Sequence, residues 1–184
     1  MHTVLKRIRK HTPAYGDARR LYRDAFPPDE RAPFFMLARK AEKRLADWWG
    51  IYEGDEWIGF FYVVADARLA YVFYFAIDGQ KRGRGCGTRA LAALRAQYEG
   101  SRIFLAAEKL DPEAENYAER VRRKRFYLRG GMEELHTCVQ EGSVVYELLG
   151  TGGRVSGREY SRLIRKWAGP LLSRMVVMKM LPEQ

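Results

Sequence analysis

The segment Ile77-Asp78-Gly79-Gln80-Lys81-Arg82-Gly83-Arg84-Gly85-Cys86-Gly87-Thr88 joins a strongly strand-like stretch to a strongly helical one. Leu69–Ile77, which leads into the glycines, is rich in the aromatic and β-branched side chains that suit a pleated strand. Leu91, Leu94 and Tyr98, which follow them, recur at helical spacing. The sequence therefore predicts a strand, a glycine-rich turn and a helix in immediate succession.

The glycine-rich turn has the composition of a phosphate-binding loop. Glycines at 83, 85 and 87 allow positive φ angles, so that successive main-chain N–H groups converge on one anion. A helix that begins near Gly87 adds its unpaired N–H groups and the positive end of its dipole. Further positive charge comes from Lys81, Arg82 and Arg84. An ordinary tight turn that caps a helix is the alternative, and the strand-to-helix context favours the phosphate site.

Two other phosphate-binding motifs match this turn less well. A P-loop NTPase requires Gly-Lys-Ser/Thr at the end of the loop, whereas Gly87 is followed by Thr88 and Arg89. A dinucleotide fingerprint requires glycine at the position of Thr88 and an acidic residue near the end of the next strand. Glu108 could supply that acid, so the dinucleotide fold is left open as a weaker alternative.

The composition is that of a folded, basic protein about the size of one domain. Its 184 residues are 47% hydrophobic and 30% charged, which argues against wholesale disorder. The 33 Lys and Arg against 23 Asp and Glu give a net charge of +10. This charge favours an anionic partner such as nucleic acid, an acidic membrane or a phosphorylated cofactor.

Cysteine and histidine usage indicates a reducing compartment and no metal site. Cys86 and Cys138 are too few for a disulfide framework or a four-thiolate zinc site. The 3 histidines are scattered without metal-ligand spacing. The N-terminus lacks the apolar core of a signal peptide, and the longest apolar run, Ile58–Ala65, is far short of the roughly 20 residues that span a bilayer. A soluble cytoplasmic protein without membrane contact is therefore expected.

The remaining periodicity predicts a mixture of helices and strands. Helices are expected over residues 16–25, 33–46, 88–98, 112–128 and 158–168, with Asp17 in the N-cap region of the first. Strands are expected over residues 4–8, 48–52, 57–64, 69–77, 103–107, 132–138 and 143–149. The apolar tail 171–180 is ambiguous between a last strand and other structure. A right-handed crossover would place the strand 103–107 parallel to 69–77.

The turn resembles the cofactor loop of the GNAT superfamily of acyl-CoA-dependent N-acyltransferases. That loop reads Arg/Gln-x-x-Gly-x-Gly/Ala after the fourth strand of the family. The register Arg82-x-x-Gly85-x-Gly87 is preferred over Gln80-x-x-Gly83-x-Gly85, because it leaves Ile77 as the last strand residue and Leu91 as the first inward helical residue.

The resemblance covers roughly Val4 to Leu149. Downstream of the turn, Asn116, Phe126-Tyr127 and Gly131-Met132 resemble the family's fourth helix and the start of the next strand. Met132 replaces the usual Phe, and the gap between Asn116 and Tyr127 is about one helical turn longer than the commonest spacing.

The resemblance implies an α+β fold, described as an α/β/α sandwich. Its central sheet would be mixed and largely antiparallel, with one parallel pair of strands that splay apart. It further implies one acyltransferase domain over residues 1–150. Residues 151–184 would then form a C-terminal helical extension packed on the same domain.

The cofactor implied by the resemblance is acetyl-CoA, with pantetheine in the opening between the strands 69–77 and 103–107. Main-chain N–H groups near Phe75–Ile77 would polarise the thioester carbonyl. Cys86 is expected to be a small filler of a crowded turn rather than a nucleophile. The implied cofactor-binding residues are Phe75, Ala76, Ile77, Arg82, Gly83, Arg84, Gly85, Cys86, Gly87, Thr88 and Asn116.

The reaction implied by the resemblance is direct attack of an amine on the thioester. Tyr127 is the candidate acid for the departing thiolate, since a phenol and a thiolate have comparable basicity. Glu108 is the candidate base for the amine proton, and an ion pair with Arg120 is its alternative role. Glu30, on the loop between the first two helices, is the candidate acceptor-binding residue, with a solvated loop acid as the alternative.

The basic residues between positions 120 and 129, called the basic block, offer nucleic-acid binding as a function of another class. Tyr117, Phe126 and Tyr127 are interleaved with the block, as in an RNA-binding helix. Helical geometry spreads the charges over several faces, which disfavours a nucleic-acid or ribosome-binding module. The block comprises Arg120, Arg122, Arg123, Lys124, Arg125 and Arg129.

A catalytically silent CoA-binding protein of the same fold is a further alternative. The sequence does not determine whether the acceptor is a small amine or a peptide. It also leaves open the length of the acyl chain and whether the protein forms a homodimer.

Overall fold

The computed structural model describes residues 2–169 and 178–181. The strands are β1 (Thr3–Arg7), β2 (Asp47–Glu53), β3 (Glu56–Asp66), β4 (Leu69–Ile77), β5 (Arg102–Glu108), β6 (Glu133–Glu141), β7 (Val144–Thr151) and β8 (Met178–Leu181). The helices are α1 (Pro13–Ala25), α2 (Phe34–Glu42), α3 (Cys86–Gln97), α4 (Tyr117–Arg129) and α5 (Gly157–Ala168). No helix of the described residues has the length and apolarity required to cross a membrane.

The first of two compact units contains the residues up to Ala65 together with Val72–Glu99. Its strands are ordered β1-β2-β3-β4. β1 and β2 are antiparallel with Leu5 opposite Ile51, and a bulge interrupts the antiparallel register of β2 and β3 after Ile51. The strands predicted in this part of the sequence are therefore present as neighbours in the sheet.

Aromatic side chains fill both faces of the first unit. On the face covered by α1, the rings of Tyr22 and Tyr74 meet edge to face at 4.9 Å. On the opposite face, Phe61 and Phe75 stack at 4.3 Å. Tyr98, at the end of α3, donates a hydrogen bond of 2.7 Å to Asp47 in β2. Large rings on both faces explain why these strands read as continuous hydrophobic runs.

The second unit contains Asp66–Tyr71 and the residues from Gly100 onward. The start of β4 runs parallel to β5, with Leu69 opposite Arg102 and Tyr71 opposite Phe104. β5 is antiparallel to β7, β7 to β6, and β6 to β8. A mixed, largely antiparallel sheet with one parallel pair is therefore confirmed.

α5 is anchored within the second unit by a capped first turn and by ring contacts. Ser156 and Glu159 form a capping box. Tyr160 packs on Tyr71 at 5.2 Å and on Phe104 at 6.0 Å. Hydrogen bonds from Arg102 and Ser156 lower the pKa of Glu159 to about 2, so the Arg102–Glu159 ion pair persists into acid.

The domain boundary at residue 150 stays a prediction.

Three helix boundaries differ from the sequence prediction by three residues or more. α1 begins at Pro13 instead of residue 16, since proline suits the first turn, and Asp17 pairs with Arg20 instead of capping. α2 ends at Glu42 because the chain turns through a left-handed Arg44, at φ 55°. α4 begins at Tyr117 because the preceding residues form turns, with Ala114 N–H bonded to the carbonyl of Asp111.

The apolar tail was ambiguous in the sequence. Its last part contributes to β8, which pairs with β6 through Val139 and Met180. Residues 171–177 of that tail lie outside the described residues.

Gly59 in β3 is a position where packing requires glycine. A Cβ there would lie 2.2 Å from the carbonyl oxygen of Ala76 and 3.1 Å from the Cα of Ile77. Both contacts are with main chain at the end of β4, which cannot move without displacing the turn that follows. Gly59 therefore sets how closely β3 approaches the last residues of β4.

Substitution Gly59→Ala is expected to lower the free energy of unfolding by about 3 kcal/mol, because the added methyl group overpacks the strand pair. Gly79→Ala is the matched control, since a Cβ at Gly79 meets nothing within 4 Å. Urea denaturation of both variants measures the difference. A loss below about 1 kcal/mol for Gly59→Ala would contradict this close packing.

Candidate cofactor-binding and catalytic sites

The glycine-rich turn leaves β4 through a short 3-10 turn and enters α3 at Cys86. The Asp78 carboxylate accepts a hydrogen bond of 2.9 Å from the N–H of Gln80, which shapes the start of the turn. Arg82 Nε donates to the carbonyl of Ile77 at 3.2 Å. Gly83 and Gly85 have φ angles of 82° and 73°. The predicted strand, turn and helix are thus present, with Ile77 as the last strand residue.

Gly87 behaves differently from the two glycines before it. It is the second residue of α3 and is not among the positive-φ residues. The prediction of positive φ at all three glycines is therefore wrong at Gly87, because the helix begins one residue earlier than expected.

The main-chain N–H groups of residues 83–88 are free to bind a ligand. Within residues 2–169 and 178–181, no protein acceptor is found for any of them. Arg89 has the first bonded amide, which donates to the carbonyl of Gly85 at 3.1 Å. The turn is exposed from Arg82 to Gly85. These donors, at the positive end of α3, have the arrangement that an anion requires.

The basic side chains of the turn are not equivalent. Arg82 and Arg84 are exposed, whereas Lys81 is held in an ion pair with Glu56. Thr88 is exposed in the first turn of α3, and Cys86 is buried. Lys81 is therefore directed to a carboxylate of the protein, unlike the mobile rim charge predicted from the sequence.

Glu53 and Arg89 form a contact beneath the turn that the sequence analysis missed. Arg89 Nε donates to Glu53 Oε1 at 2.7 Å, and Arg89 Nη1 donates to the carbonyl of Arg84 at 3.0 Å. Arg89 Nη2 lies 3.4 Å from the Cys86 sulfur. The two side chains come from strand and helix residues 36 positions apart, so no local pattern reveals them.

The end of β4 holds the three residues that the resemblance assigned to the thioester. Ala76 and Ile77 are buried, and Phe75 is half-buried in its stack with Phe61. Ala76 and Ile77 therefore expose little surface, and the assignment of these positions to the thioester stays a prediction.

The loop between α1 and α2, which carries Glu30, is held by two tyrosines, Tyr74 of β4 and Tyr22 of α1. Tyr74 donates to the carbonyl of Glu30 at 2.9 Å and accepts from the N–H of Ala32 at 3.1 Å. Tyr22 donates to the carbonyl of Ala32 at 3.0 Å. Burial raises the pKa of Tyr22 well above its ordinary value, so this donor stays protonated. The Glu30 side chain is exposed on a loop whose backbone is fixed.

A cleft of about 710 Å³ in the first unit lies between α1 and the start of the glycine-rich turn. Its charged lining includes Asp24 and Asp78 as well as Arg20 and Arg82. Trp57 also lines the cleft, and its buried Nε1 has no hydrogen-bond partner among the described residues. The cleft thus presents charges of both signs beside Arg82.

Tyr127, in the second unit, is a buried phenol near the end of α4. Its side chain is 9% exposed, and no partner for its hydroxyl is found in the part of the chain that the structure describes. Burial raises the pKa of Tyr127 to about 12, and Arg123 opposes the shift. The hydroxyl is therefore protonated at neutral pH and available as a donor.

Glu108, at the end of β5, lies in a cluster of cationic and amide groups. Its carboxylate pairs with Arg120 at 2.8 Å and with Arg123 at 3.0 Å. The Asn116 amide lies 3.4 Å from both carboxylate oxygens, and its oxygen accepts from Arg120 at 2.7 Å. The alternative ion pair with Arg120 is thus present. The second unit brings Glu108 and Asn116 together, which the sequence assigned to different roles.

Most of the basic block on α4 is paired with carboxylates. Glu108 holds Arg120 and Arg123, and Lys124 contacts Glu147 at 2.7 Å. Arg122 pairs with Glu119 at 3.4 Å. The charges that remain without an ion pair among the described residues are Arg125 and Arg129. This pairing disfavours a continuous nucleic-acid surface on the helix.

Among the described residues, no three His, Cys, Asp or Glu side chains are close enough to hold a metal ion. The free amides of the glycine-rich turn have the chemistry of a phosphate-binding site.

A comparison with protein-family models shows which family has this fold and this turn. The model of the Acetyltransferase (GNAT) family matches residues 15–122, more than half of the chain. The chain therefore belongs to this family, and the resemblance seen in the sequence is confirmed. The matched span includes the whole glycine-rich turn and ends before Tyr127. Comparison with curated protein sequences gives no significant match.

Solved structures of GNAT proteins share the fold. A GNAT-family protein from Bacteroides thetaiotaomicron is 23% identical, with a TM-score of 0.68 over 92% of this chain and 97% of its own. An aminoglycoside 6'-N-acetyltransferase complexed with coenzyme A is 13% identical, with a TM-score of 0.62 over 83% and 99%. The ribosomal-protein-S18-alanine N-acetyltransferase from Escherichia coli is 15% identical, with a TM-score of 0.59 over 84% and 96%. At these identities the comparisons show the fold alone.

Substitution Tyr74→Phe is expected to release the loop that carries Glu30, because it removes both hydrogen bonds and keeps the ring. The Ala32 amide should exchange with deuterium about tenfold faster or more, measured by NMR. Tyr62→Phe is the matched control, since its hydroxyl donates instead to Leu37 in α2, at 3.0 Å. Unchanged exchange at Ala32 in Tyr74→Phe would show that the hydroxyl does not fix this loop.

Proposed function

We propose that this protein is an N-acetyltransferase that moves the acetyl group of acetyl-CoA to a primary amine. The observation that supports this most directly is the row of free main-chain N–H groups over residues 83–88, in a chain whose family consists of acetyltransferases. The acceptor is proposed only as a small amine or a peptide.

The diphosphate of the cofactor is assigned to the glycine-rich turn. The free amides of Gly83, Arg84 and Gly85 and of the first turn of α3 would donate hydrogen bonds to its oxygens, and the dipole of α3 favours this arrangement. Exposed Arg82 and Arg84 add charge without a carboxylate to neutralise them among the described residues. Cys86 fills the base of the turn, and Gly87 and Thr88 contribute amides.

Tyr127 is assigned as the acid that protonates the leaving thiolate. Bound acetyl-CoA supplies the acetyl thioester. The amine nitrogen forms the new amide bond, the carbon–sulfur bond breaks, and the sulfur takes a proton from the Tyr127 hydroxyl. The proton that the amine loses passes to Glu108, directly or through water, and solvent returns a proton to the Tyr127 phenolate. Burial raises the pKa of Tyr127 to about 12, so the phenol carries its proton at neutral pH. Main-chain N–H groups of Phe75, Ala76 and Ile77 are proposed to polarise the thioester carbonyl.

Three further residues predicted from the sequence, Glu108, Asn116 and Glu30, are given roles in this proposal. Glu108 is retained as a candidate base, and its two carboxylate oxygens also pair with Arg120 and Arg123. Asn116 is proposed to contribute to cofactor binding through its place beside Arg120. Glu30 is proposed to contact the acceptor from its fixed loop.

Cofactor binding is tested by calorimetry with acetyl-CoA, free CoA and RNA. We expect acetyl-CoA and CoA to bind and RNA not to bind above background. Gly85→Val should abolish CoA binding, because its φ of 73° disfavours a side chain and a Cβ would lie 3.1 Å from Arg89 Nη1. Retained affinity in this variant, or a steep salt-dependent affinity for RNA without CoA binding, would overturn the assignment.

Tyr127→Phe tests the acid in a thiol-release screen across amines. We expect kcat to fall by about 10²-fold or more between about pH 7 and pH 10, with the Kd for acetyl-CoA nearly unchanged. Tyr117→Phe is the control on the same helix, since Tyr117 is exposed. Equal losses of kcat and cofactor affinity would rule out the acid role.

A further inference from the structure

Arg89 occupies an electrostatically unfavourable position. It is the fourth residue of α3, where the positive end of the helix dipole disfavours a cation. Glu53 offsets this cost, because its carboxylate is only 10% exposed and pairs with Arg89 at 2.5 Å. The guanidinium is therefore held by a carboxylate at the end of β2 rather than left free at the turn.

The direction of the Arg84 peptide follows from this pair. Arg89 Nη1 donates to the Arg84 carbonyl at 3.0 Å, so that carbonyl points toward the guanidinium. In a trans peptide, the carbonyl of one residue and the N–H of the next point in opposite directions. The N–H of Gly85 is therefore directed away from Arg89.

Gly85 itself is fitted around the guanidinium. A Cβ at Gly85 would lie 3.1 Å from Arg89 Nη1, whereas a Cβ at Gly83 meets nothing within 4 Å. The two positive-φ glycines thus differ, since only Gly85 is constrained by a neighbour. The Cys86 sulfur, 3.4 Å from Arg89 Nη2 and 3.7 Å from Glu53 Oε2, closes the same contact.

We propose that Glu53 and Arg89 are positioning residues that fix the Arg84–Gly85 peptide so that its N–H faces a bound diphosphate. Arg89 acts through the Arg84 carbonyl and does not itself bind the phosphates. The inference rests on the proposed function, since it assigns the organisation of the cofactor loop.

Arg89 as a direct phosphate ligand is the competing role, and Glu53 distinguishes the two. If Arg89 bound phosphate, removal of the competing Glu53 charge would leave CoA affinity unchanged or raise it. If the pair positions the peptide, the same removal releases Arg89 and lowers the affinity. The sign of the Glu53 effect therefore decides between the roles.

The binding experiment compares Glu53→Gln, Arg89→Ala and the double variant by calorimetry with free CoA. We expect each single variant to weaken CoA binding about tenfold, and the double variant to be no weaker than Arg89→Ala. Arg89→Ala should keep the salt dependence of the wild-type affinity. Arg84→Ala is the matched control, since loss of an exposed charge should reduce that dependence. Higher or unchanged affinity in Glu53→Gln would overturn the proposal.

A second readout is independent of the cofactor. Cys86 is buried against the pair, and Cys138 is the other cysteine of the chain. In a Cys138→Ser background, Glu53→Gln and Arg89→Ala should each react with a thiol reagent about tenfold faster at Cys86 or more, while the thermal midpoint shows that the fold is intact. Arg84→Ala should leave the rate unchanged.

CoA affinity and Cys86 reactivity together distinguish failure of the positioning role from failure of the proposed function. Unchanged Cys86 reactivity in both variants would overturn the positioning role even if CoA binds. Increased reactivity in a protein whose wild type binds no CoA would overturn the proposed function and leave the pair as a structural support of the turn. Arg89→Lys should recover little CoA affinity, because one ammonium cannot reproduce the forked contacts with Glu53 and the Arg84 carbonyl.

Discussion

The main constraint on this structure is that the amides of residues 83–88 have no protein acceptor in the part of the chain described. An N–H group without a protein partner must bind water or a ligand, because a polar group left unpaired is costly. A helix that begins at Cys86 orients the amides of residues 86–88 along its axis, and the close approach of Gly59 to Ala76 fixes the position at which β4 enters the turn. The cofactor assignment depends on this exposed row of donors.

The positive side chains of the protein fall into two groups, those paired with carboxylates inside the protein and those left exposed. Much of the net charge of +10 comes from arginines, and several of those on α4 are used internally, since Glu108 alone engages two of them. Arg82 and Arg84 of the glycine-rich turn belong to the exposed group. Net charge therefore favours an anionic ligand in general, whereas ion pairing within the protein decides which cations are available to one.

Features encoded by neighbouring residues could be predicted from the sequence. The strand ending at Ile77, the turn and the following helix are local, as are the aromatic runs of β2 and β3, and the family follows from the same residues. Contacts between distant positions could not be predicted. Glu53 meets Arg89 over 36 positions and Tyr74 meets Glu30 over 44, and neither pair has a periodic signature. Glu108 was found by its place at a strand end, which gives no information on the arginines around it.

The fastening of the α1–α2 loop acts on main-chain atoms. Tyr74 contacts the carbonyl of Glu30 and the N–H of Ala32, and Tyr22 contacts the carbonyl of Ala32. None of these contacts involves a side chain of the loop. Residues on this loop can therefore be exchanged without altering its path over the sheet. Change of surface chemistry by single substitutions, on an unchanged scaffold, is the evolutionary freedom that this arrangement provides.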